Sequence, residues 1–533
     1  MLTKLKTFSL LGATAHLVDV EVSVSPYQGS DPLKSGGVEP KSVTTIVGLA
    51  ETVVRESVFR VKLALENSGY RMPPGATVVN LAPADLPKQA ASFDLPISIG
   101  QIAAAGLMEL PLLSQYAVIG ELALDGQTRP CRGILASSRA AKALGLKGVI
   151  VPSSNAREAA LVEGIEAIPV RSLNEAVGFL SGQTAIAPAP GLTREEFSSF
   201  SRYDIDFSEV HGQEIAKRAL LIAAAGAHNV LMFGSPGAGK TMLAKRIVTI
   251  LPPPTLAEAL ETTEIYSAVG KLRDKPLIAT RPFREPHHSI SEPGLIGGGS
   301  KPMPGEISLA NNGVLFLDEL PEFNRKTLEA LRQPLEDHKV TVSRSNQTEV
   351  FPAKFILIAA MNPCPCGYRN DPRRRCNCTQ AQVDRYMSRI SGPLLDRFDI
   401  HIETPPVSFR DLSSTEPQTS SEQLRAQALI AREIQARRYR DEGISVNGQM
   451  RRSHLQRWAR LGEGAAMILE RAMTEFGFTA RVHDKVLRLA RTIADLKAQD
   501  DITEEEIFEA ISYRSFDRRL WRKEKPKSSD DKD

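Results

Sequence analysis

The chain has 533 residues, too many for one hydrophobic core, so roughly two to four domains are expected. Its net charge of +3 at pH 7 neither requires nor excludes a polyanionic partner, so any nucleic-acid surface must come from local clustering of basic side chains. Five cysteines, four of them crowded into one loop, argue against a secreted disulfide framework, and no apolar run approaches a membrane span, so a cytoplasmic protein without a membrane partner is expected.

At the N-terminus, Lys4 and Lys6 precede Phe8-Ser9-Leu10-Leu11-Gly12-Ala13-Thr14-Ala15, which superficially suggests a signal peptide. The apolar run is short, and a clean alternation follows it. Val18, Val20, Val22 and Val24 face one way, and Asp19, Glu21, Ser23 and Ser25 the other, which predicts a half-buried strand as the first of a sheet. Strands over 42–49, 77–81 and 148–152 and helices over 51–67, 100–110 and 136–144 predict an α/β or α+β domain spanning residues 1–180. Within it, residues 88–96 and 120–126 resemble the proteolytic domain of Lon-type proteases. That family uses a lysine to lower the cost of deprotonating a serine. The resemblance sets Ser92 at the nucleophile and Leu135 at the lysine position, which implies a Lon-protease-like domain lacking the Ser–Lys dyad and leaves it free to bind a protein partner. Residues 181–205 read as a linker, Pro-, Ala- and Gly-rich at its start and without periodicity.

The stretch Gly234-Ser235-Pro236-Gly237-Ala238-Gly239-Lys240-Thr241 satisfies G-x-x-x-x-G-K-[ST] between a strand-like run at 229–233 and a helix from 242. Such glycines let backbone N–H groups wrap a phosphate, and the helix N-terminus adds a favourable partial charge. Lys240 then reaches the β- and γ-phosphates and the Thr241 hydroxyl ligates Mg²⁺, so the chain is expected to bind a nucleoside triphosphate. An apolar strand at 313–317 ends in Asp318 and Glu319, the first to hold Mg²⁺ and the second to polarise the attacking water. Ahead of the loop, Val210-His211-Gly212-Gln213 resembles the adenine-side entry of AAA+ ATPases, which sets Val210 and Gly212 beside the nucleotide. In that family a polar residue after a third strand, here Asn362 after 355–361, is sensor 1 and helps position the lytic water. Residues 392–399 resemble the arginine-finger segment of the magnesium-chelatase branch, so Arg397 is implied to act on a neighbouring subunit's γ-phosphate.

Two insertions mark the same branch. Residues 281–305, with His287-His288 and Gly297-Gly298-Gly299, look like a loop inserted into the second AAA+ helix. Residues 339–344 and 347–351, joined by a Ser345-Asn346 turn, form a predicted hairpin like the pre-sensor-1 hairpin of chelatases and MCM-type helicases. Both insertions line the pore of those rings, so Arg344, His287 and His288 are candidate DNA contacts. Cys364-Pro365-Cys366, nine residues, then Cys376-Asn377-Cys378 could wrap one Zn²⁺ tetrahedrally, or form a reduced loop without metal. Arg373, Arg374 and Arg375 in that loop could present a basic knuckle.

Beyond a polar linker near 411–420 the chain reads as helical. Arg432, Arg437, Arg438 and Arg440 read as a solvated helix face. Val482, Val486, Leu489, Ala490, Ile493 and Leu496 make one apolar stripe, opened by Arg481 at the position of sensor 2 in AAA+ lids. The charged end, 521–533, reads as a disordered tail.

In domain order and motifs, the chain to about residue 520 resembles the ComM/YifB family of bacterial magnesium-chelatase-like AAA+ ATPases. The expected fold class is therefore α/β multidomain: a Lon-protease-like α+β N-terminal domain (1–180), an AAA+ P-loop αβα core (206–410) and a helical C-terminal lid (411–520). The resemblance implies ATP and Mg²⁺ as cofactors, a homo-hexameric ring, and a DNA helicase promoting branch migration during integration of transforming DNA. Two other readings stand beside it: a chelatase ATPase subunit driving Mg²⁺ into a porphyrin, and a chaperone or unfoldase acting on a protein client.

Overall fold

The computed structural model describes residues 1–26, 43–49, 51–88, 91–272, 275–299, 302–344, 347–369, 371, 374–413 and 418–514. The Arg344 side chain, the Ser345-Asn346 turn, Arg373 and the 521–533 tail lie outside the described residues.

The N-terminal sheet starts earlier than the alternation suggests. The signal-like stretch is itself strand β1 (Leu2–Leu11), paired antiparallel with β2 (Thr14–Pro26) along its whole length. Leu5 is buried on one face, and on the other face Lys4 pairs with Asp19 at 3.3 Å at the strand's open end, whereas Phe8 further along that face is buried. The valine-rich strand is thus the second in sequence. With β3 (Val43–Val47), β4 (Gly75–Ala82), β5 (Tyr116–Val118), β6 (Gly148–Pro152) and β7 (Glu166–Val170) it forms a mixed sheet ordered β3-β4-β2-β1-β5-β6-β7. Helix α1 (Thr52–Asn67) forms where expected, but α2 spans Asp94–Ala104 instead of starting at Gly100. Gly100 is a packing residue inside α2: a Cβ there would lie 2.6 Å from Val22 Cγ2.

Helix α3 (Ile134–Ala143) carries Leu135, the position where the resemblance sets a lysine. Leu135 is fully buried with Leu161 and Val162 against Ala259, Leu277 and Ala279 of the nucleotide-binding core. The Gly133 N–H donates to Ser267 Oγ at 2.9 Å, and Arg139 pairs with Glu264 at 2.6 Å across the same seam. An ammonium at position 135 would be desolvated in that seam. Ser92 lies in a short 3₁₀ turn before α2, its carbonyl accepting from the Gly120 N–H at 3.0 Å. The expected linker holds a helix, α4 (Arg194–Phe200), closed by a Thr193–Glu196 capping box and packed through Phe197 and Phe200 onto the seam.

The core is a five-stranded parallel sheet, ordered β9-β10-β13-β8-β14, from β8 (Val230–Phe233), β9 (Phe283–Arg284), β10 (Gly313–Leu317), β13 (Phe355–Met361) and β14 (Ile400–Glu403). Its central strands are apolar throughout because helices cover both faces. Among these are α5 (Glu214–Gly226), α6 (Lys240–Ile250) and α7 (Leu256–Ala268). The hairpin β11 (Lys339–Arg344) and β12 (Gln347–Pro352) stands outside the sheet. Phe351 at its base reaches the β1–β2 turn, where a Cβ on Gly12 would come within 2.9 Å of its ring.

The C-terminal region is helical: α9 (Ser421–Arg438), α10 (Glu463–Phe476), α11 (Ala480–Leu496) and α12 (Glu504–Ser512), following α8 (Gln380–Met387) of the core. The α11 stripe is buried through Ile493. Two arginines expected on a solvated face are not there. Arg432 donates to the Ala224 carbonyl, and Arg438 forks onto Asp495 at 2.5 and 2.8 Å with Asn447 alongside. Arg437 and Arg440 are exposed. Among the described residues, no helix is long and apolar enough to cross a membrane.

Candidate nucleotide site

Three neighbouring strands deliver the polar groups to one place, at the carboxyl ends of the core sheet, where ligands of open α/β sheets bind. Strand β8 ends at Phe233 and the chain turns at Gly234, where a Cβ would sit 2.2 Å from the Thr404 carbonyl. Gly237 and Gly239 hold φ of 77° and 82°, left-handed conformations that keep Cβ-free backbone open to a ligand. Lys240 then opens α6, its side chain folded back under the loop. Its Nζ donates to the carbonyls of Gly234 at 2.7 Å and Ser235 at 3.1 Å, and to Asn362 Oδ1 at 3.2 Å. Burial lowers the pKa of this ammonium, opposed by the charges of Asp318 and Glu319.

Strand β10, on the far side of β13 from β8, carries the acids. Thr241 Oγ1 donates to Asp318 Oδ2 at 2.7 Å, so a hydroxyl and a carboxylate already share one point. The other Asp318 oxygen accepts from the Glu319 N–H at 2.9 Å. Glu319 takes a left-handed φ of 53°, which turns its carboxylate away from the strand, more than half exposed. Asn362, following β13, completes the group. Val210 is buried beneath the entry segment, and Gly212 lies next to Asp411. Gln213 ties this segment to the loop, donating to the Pro405 carbonyl at 2.6 Å and the Ala238 carbonyl at 3.4 Å.

Arg397 is at the opposite end of the sheet. Its carbonyl accepts from Asn229 Nδ2 at 3.1 Å, and Asn229 immediately precedes β8. There it lines a cavity of about 650 Å³ with the first residues of β10 and β13, Gly313 and Phe355. Arg281, Arg432, Arg451, Lys485 and Arg488 make that cavity basic. The Arg397 guanidinium pairs with Glu336, while its Nε is buried without a hydrogen-bond partner among the described residues. Burial lowers its pKa, with Arg332 and Arg481 adding to the effect. Arg481 pairs with Asp396 at 3.4 Å beside Arg397, so the structure does not bring it to its own phosphate loop.

Sequence comparison agrees with this layout. Residues 206–412 match the family model described as magnesium chelatase, subunit ChlI; residues 36–155 match subunit ChlI of Mg-chelatase; and residues 418–514 match its C-terminal model. The chain is 42% identical to competence protein ComM of Haemophilus influenzae, over 96% of this chain and 97% of that protein. It is 41% identical to the uncharacterized protein YifB of Escherichia coli, over 96% and 97%. The chain belongs to the ComM/YifB family. Its fold is accordingly a magnesium-chelatase-like AAA+ domain between an N-terminal domain and a helical C-terminal region. A more distant relative, the magnesium-chelatase 38 kDa subunit of Rhodobacter capsulatus, is 27% identical over 43% of this chain and 68% of its own length.

The two insertions are placed differently. His288 turns inward, its Nδ1 3.5 Å from Glu319 Oε2, with its ring edge-on to Phe323. His287 stacks on it at 4.1 Å and shares a 2.8 Å hydrogen bond with Ser289. The candidate DNA contact His288 therefore touches the acidic strand end directly. Sequence reasoning missed this pair, and it missed Asn229, whose Oδ1 accepts from the Leu357 N–H at 2.8 Å while its backbone N–H donates to Asp399 at 3.0 Å. No local pattern marks such residues; their partners lie 31 to 170 positions away in the chain.

Cys364, Cys366, Cys376 and Cys378 gather with all four sulfurs within 4.8 Å of one another. Three of the Sγ–Sγ separations are 3.4, 3.5 and 3.7 Å, far beyond a disulfide bond. Arg374 stacks over Tyr368 and donates to its hydroxyl at 2.9 Å, so it is engaged within the knuckle.

Proposed function

We propose that this chain is an ATP-driven ring motor that remodels DNA, acting in branch migration during natural transformation or recombination. The observation that carries the reading is the separation of Lys240 from Arg397 by the length of the core sheet. An arginine at the amino end cannot serve the phosphates bound at its own carboxyl end. It can serve those of a neighbour in a head-to-tail ring, the heterologous arrangement that closes into a hexamer. The Arg397 guanidinium at that end pairs with Glu336, an ion pair that a neighbour's phosphates would have to replace.

In this reading the loop N–H groups and Lys240 hold the β- and γ-phosphates, with Val210 and Gly212 on the adenine side. Thr241 and Asp318 fit a hard divalent cation, since a hydroxyl and a carboxylate oxygen meet at 2.7 Å; Mg²⁺ bound there neutralises charge on the phosphate oxygens. Glu319 accepts a proton from the attacking water, and Asn362 fixes that water's position. Arg397 of a neighbouring copy stabilises charge developing on the γ-phosphate, with Arg481 beside it on the same face. Zn²⁺ fits the four thiols and supplies a cross-link between chain segments.

The DNA part rests on family membership across 96% of the chain, including a relative named for competence. The hairpin β11–β12 forms a two-stranded sheet of its own, packed through Val340, Val342 and Phe351 onto the core. His287, His288 and Arg344 are its proposed contacts, along with a protein-binding role for the N-terminal domain. The reading as a chelatase subunit rests on the Rhodobacter relative, whose match spans 43% of this chain. The test is ATP-dependent strand displacement on three- and four-stranded branched DNA, with Glu319→Gln as control and ATPase assays with no, single-stranded, duplex and branched DNA. Exchange by the wild type alone supports the motor. Robust ATPase with no binding, stimulation or exchange on any DNA overturns it in favour of a protein or porphyrin substrate.

A further inference from the structure

The four cysteines begin two residues after Asn362, and they are built into the nucleotide site rather than appended to it. Cys364 is fully buried in the cluster that contains Phe233, Leu317 and Met361, the last residues of the three strands that deliver the site. The other three cysteines pack against the same cluster. Gly367, inside the knuckle, takes a φ of 83°, and a Cβ there would lie 2.6 Å from Cδ of Pro236 in the phosphate loop and 3.8 Å from Asn362 Cγ. The turn of the knuckle therefore rests on the phosphate loop and on the side chain that accepts from Lys240. On its far side, Thr379 caps α8, whose Tyr386 is buried in the same cluster as Cys364. The chain then continues through a short helical turn, Gly392–Leu395, to Arg397.

A zinc ion held by four thiolates at about 2.3 Å requires sulfurs roughly 3.8 Å apart. The three separations among Cys364, Cys366 and Cys376, 3.4 to 3.7 Å, are within a few tenths of that edge, and Cys378 Sγ lies within 4.8 Å of each. Thiols are weak hydrogen-bond partners, so four of them converging on one point gain little from one another without a metal. Binding releases the thiol protons to solvent and closes the knuckle as a rigid link.

We infer that the Cys364–Cys366–Cys376–Cys378 knuckle is a metal-held positioning element of the ATPase site, setting Asn362 and the phosphate loop for turnover rather than for nucleotide binding. The cysteines touch neither substrate nor reacting atoms and act through Asn362 and Pro236. The inference rests on the ATPase reading above.

The test uses the full chain in a Cys131→Ser background, which removes the thiol outside the knuckle. Zinc is measured by elemental analysis, then released by a mercurial and followed with a chromogenic chelator. DNA-independent ATP turnover and affinity for a fluorescent ATP analogue are read on the same samples, with circular dichroism. About one zinc per chain is expected, and its release lowers kcat about tenfold or more while analogue affinity stays within about threefold. Thiol reductant plus Zn²⁺ restores kcat. Gly367→Val separates positioning from metal binding: it keeps all four ligands and its zinc but crowds Pro236, so kcat falls with metal content unchanged. A metal-free chain with undiminished turnover overturns the inference. So does a zinc release that costs nucleotide affinity or helical content together with kcat. A zinc-loaded wild type that does not hydrolyse ATP refutes the ATPase reading instead, and the two failures are distinct.

Discussion

At the carboxyl end of the core sheet, Lys240 pairs with Asn362 at 3.2 Å and Thr241 with Asp318 at 2.7 Å, side chains that follow three strands. At the amino end, the Arg397 guanidinium pairs with Glu336, and its Nε is buried with no hydrogen-bond partner among the described residues. One end is a closed network that a nucleotide must open and replace. The other is a basic cavity of about 650 Å³ with an arginine only partly used. In the proposed reading, the difference is that half of the catalytic apparatus is finished inside the chain and half by contact with another copy.

Substitutions at the two ends should separate binding from completion. The largest effect is expected at the closed end: Lys240→Ala lowers ATP turnover by about 10³-fold and also weakens nucleotide binding, measured by steady-state ATPase and analogue titration. Wild-type hydrolysis in that variant would remove the phosphate-loop assignment. Arg397→Ala is expected to lower turnover by a similar order, about 10³-fold, while leaving nucleotide affinity of the isolated chain unchanged. Glu319→Gln should bind ATP normally and hydrolyse it about 10²-fold more slowly, trapping the chain on its substrate.

A smaller effect concerns acid. His228, fully buried just before β8, sits with its Nε2 2.8 Å from Thr492 Oγ1 of the C-terminal helices, and burial depresses its pKa to about 4. Its unfolded counterpart titrates near 6.5, so the unfolded chain binds the proton first. Stability from this neutral imidazole is present above about pH 6.5 and is lost as pH falls towards 4. Thermal melting at pH 7.5 and 5 should therefore show a drop that His228→Asn reduces. The smallest change is expected from His288→Ala, which removes the 3.5 Å contact to Glu319: basal turnover shifts by about threefold or less, and its stimulation by DNA is reduced.

The closed end was largely legible in the sequence because its signals are local. A glycine-rich loop between strand and helix, and apolar runs ending in Asp318-Glu319 or Asn362, each fit in one window of the chain. The N-terminal region was less legible. Strand β1 carries Lys4 at its open end and so mimicked a signal, and Gly100 looked like a helix start although packing against Val22 puts it mid-helix. Leu135 could be read as a missing base, but not as the centre of the seam with the core, since that depends on Ala259 and Leu277. Arg438 gave no sign of being buried because its partner Asp495 lies 57 positions away. Charge and burial are decided by such distant pairs, and periodicity does not report them.

The shared site is tested most directly by mixing two inactive chains. Arg397→Ala keeps an intact phosphate loop and Glu319; Glu319→Gln keeps an intact Arg397. Each alone should hydrolyse ATP poorly. Co-assembled in equal amounts, roughly a quarter of head-to-tail interfaces join the good loop of one to the good arginine of the other, so turnover should recover to that order. Recovery on mixing is the predicted result. Mixed assemblies that stay as inactive as either parent would contradict a site completed by Arg397 of a neighbouring copy.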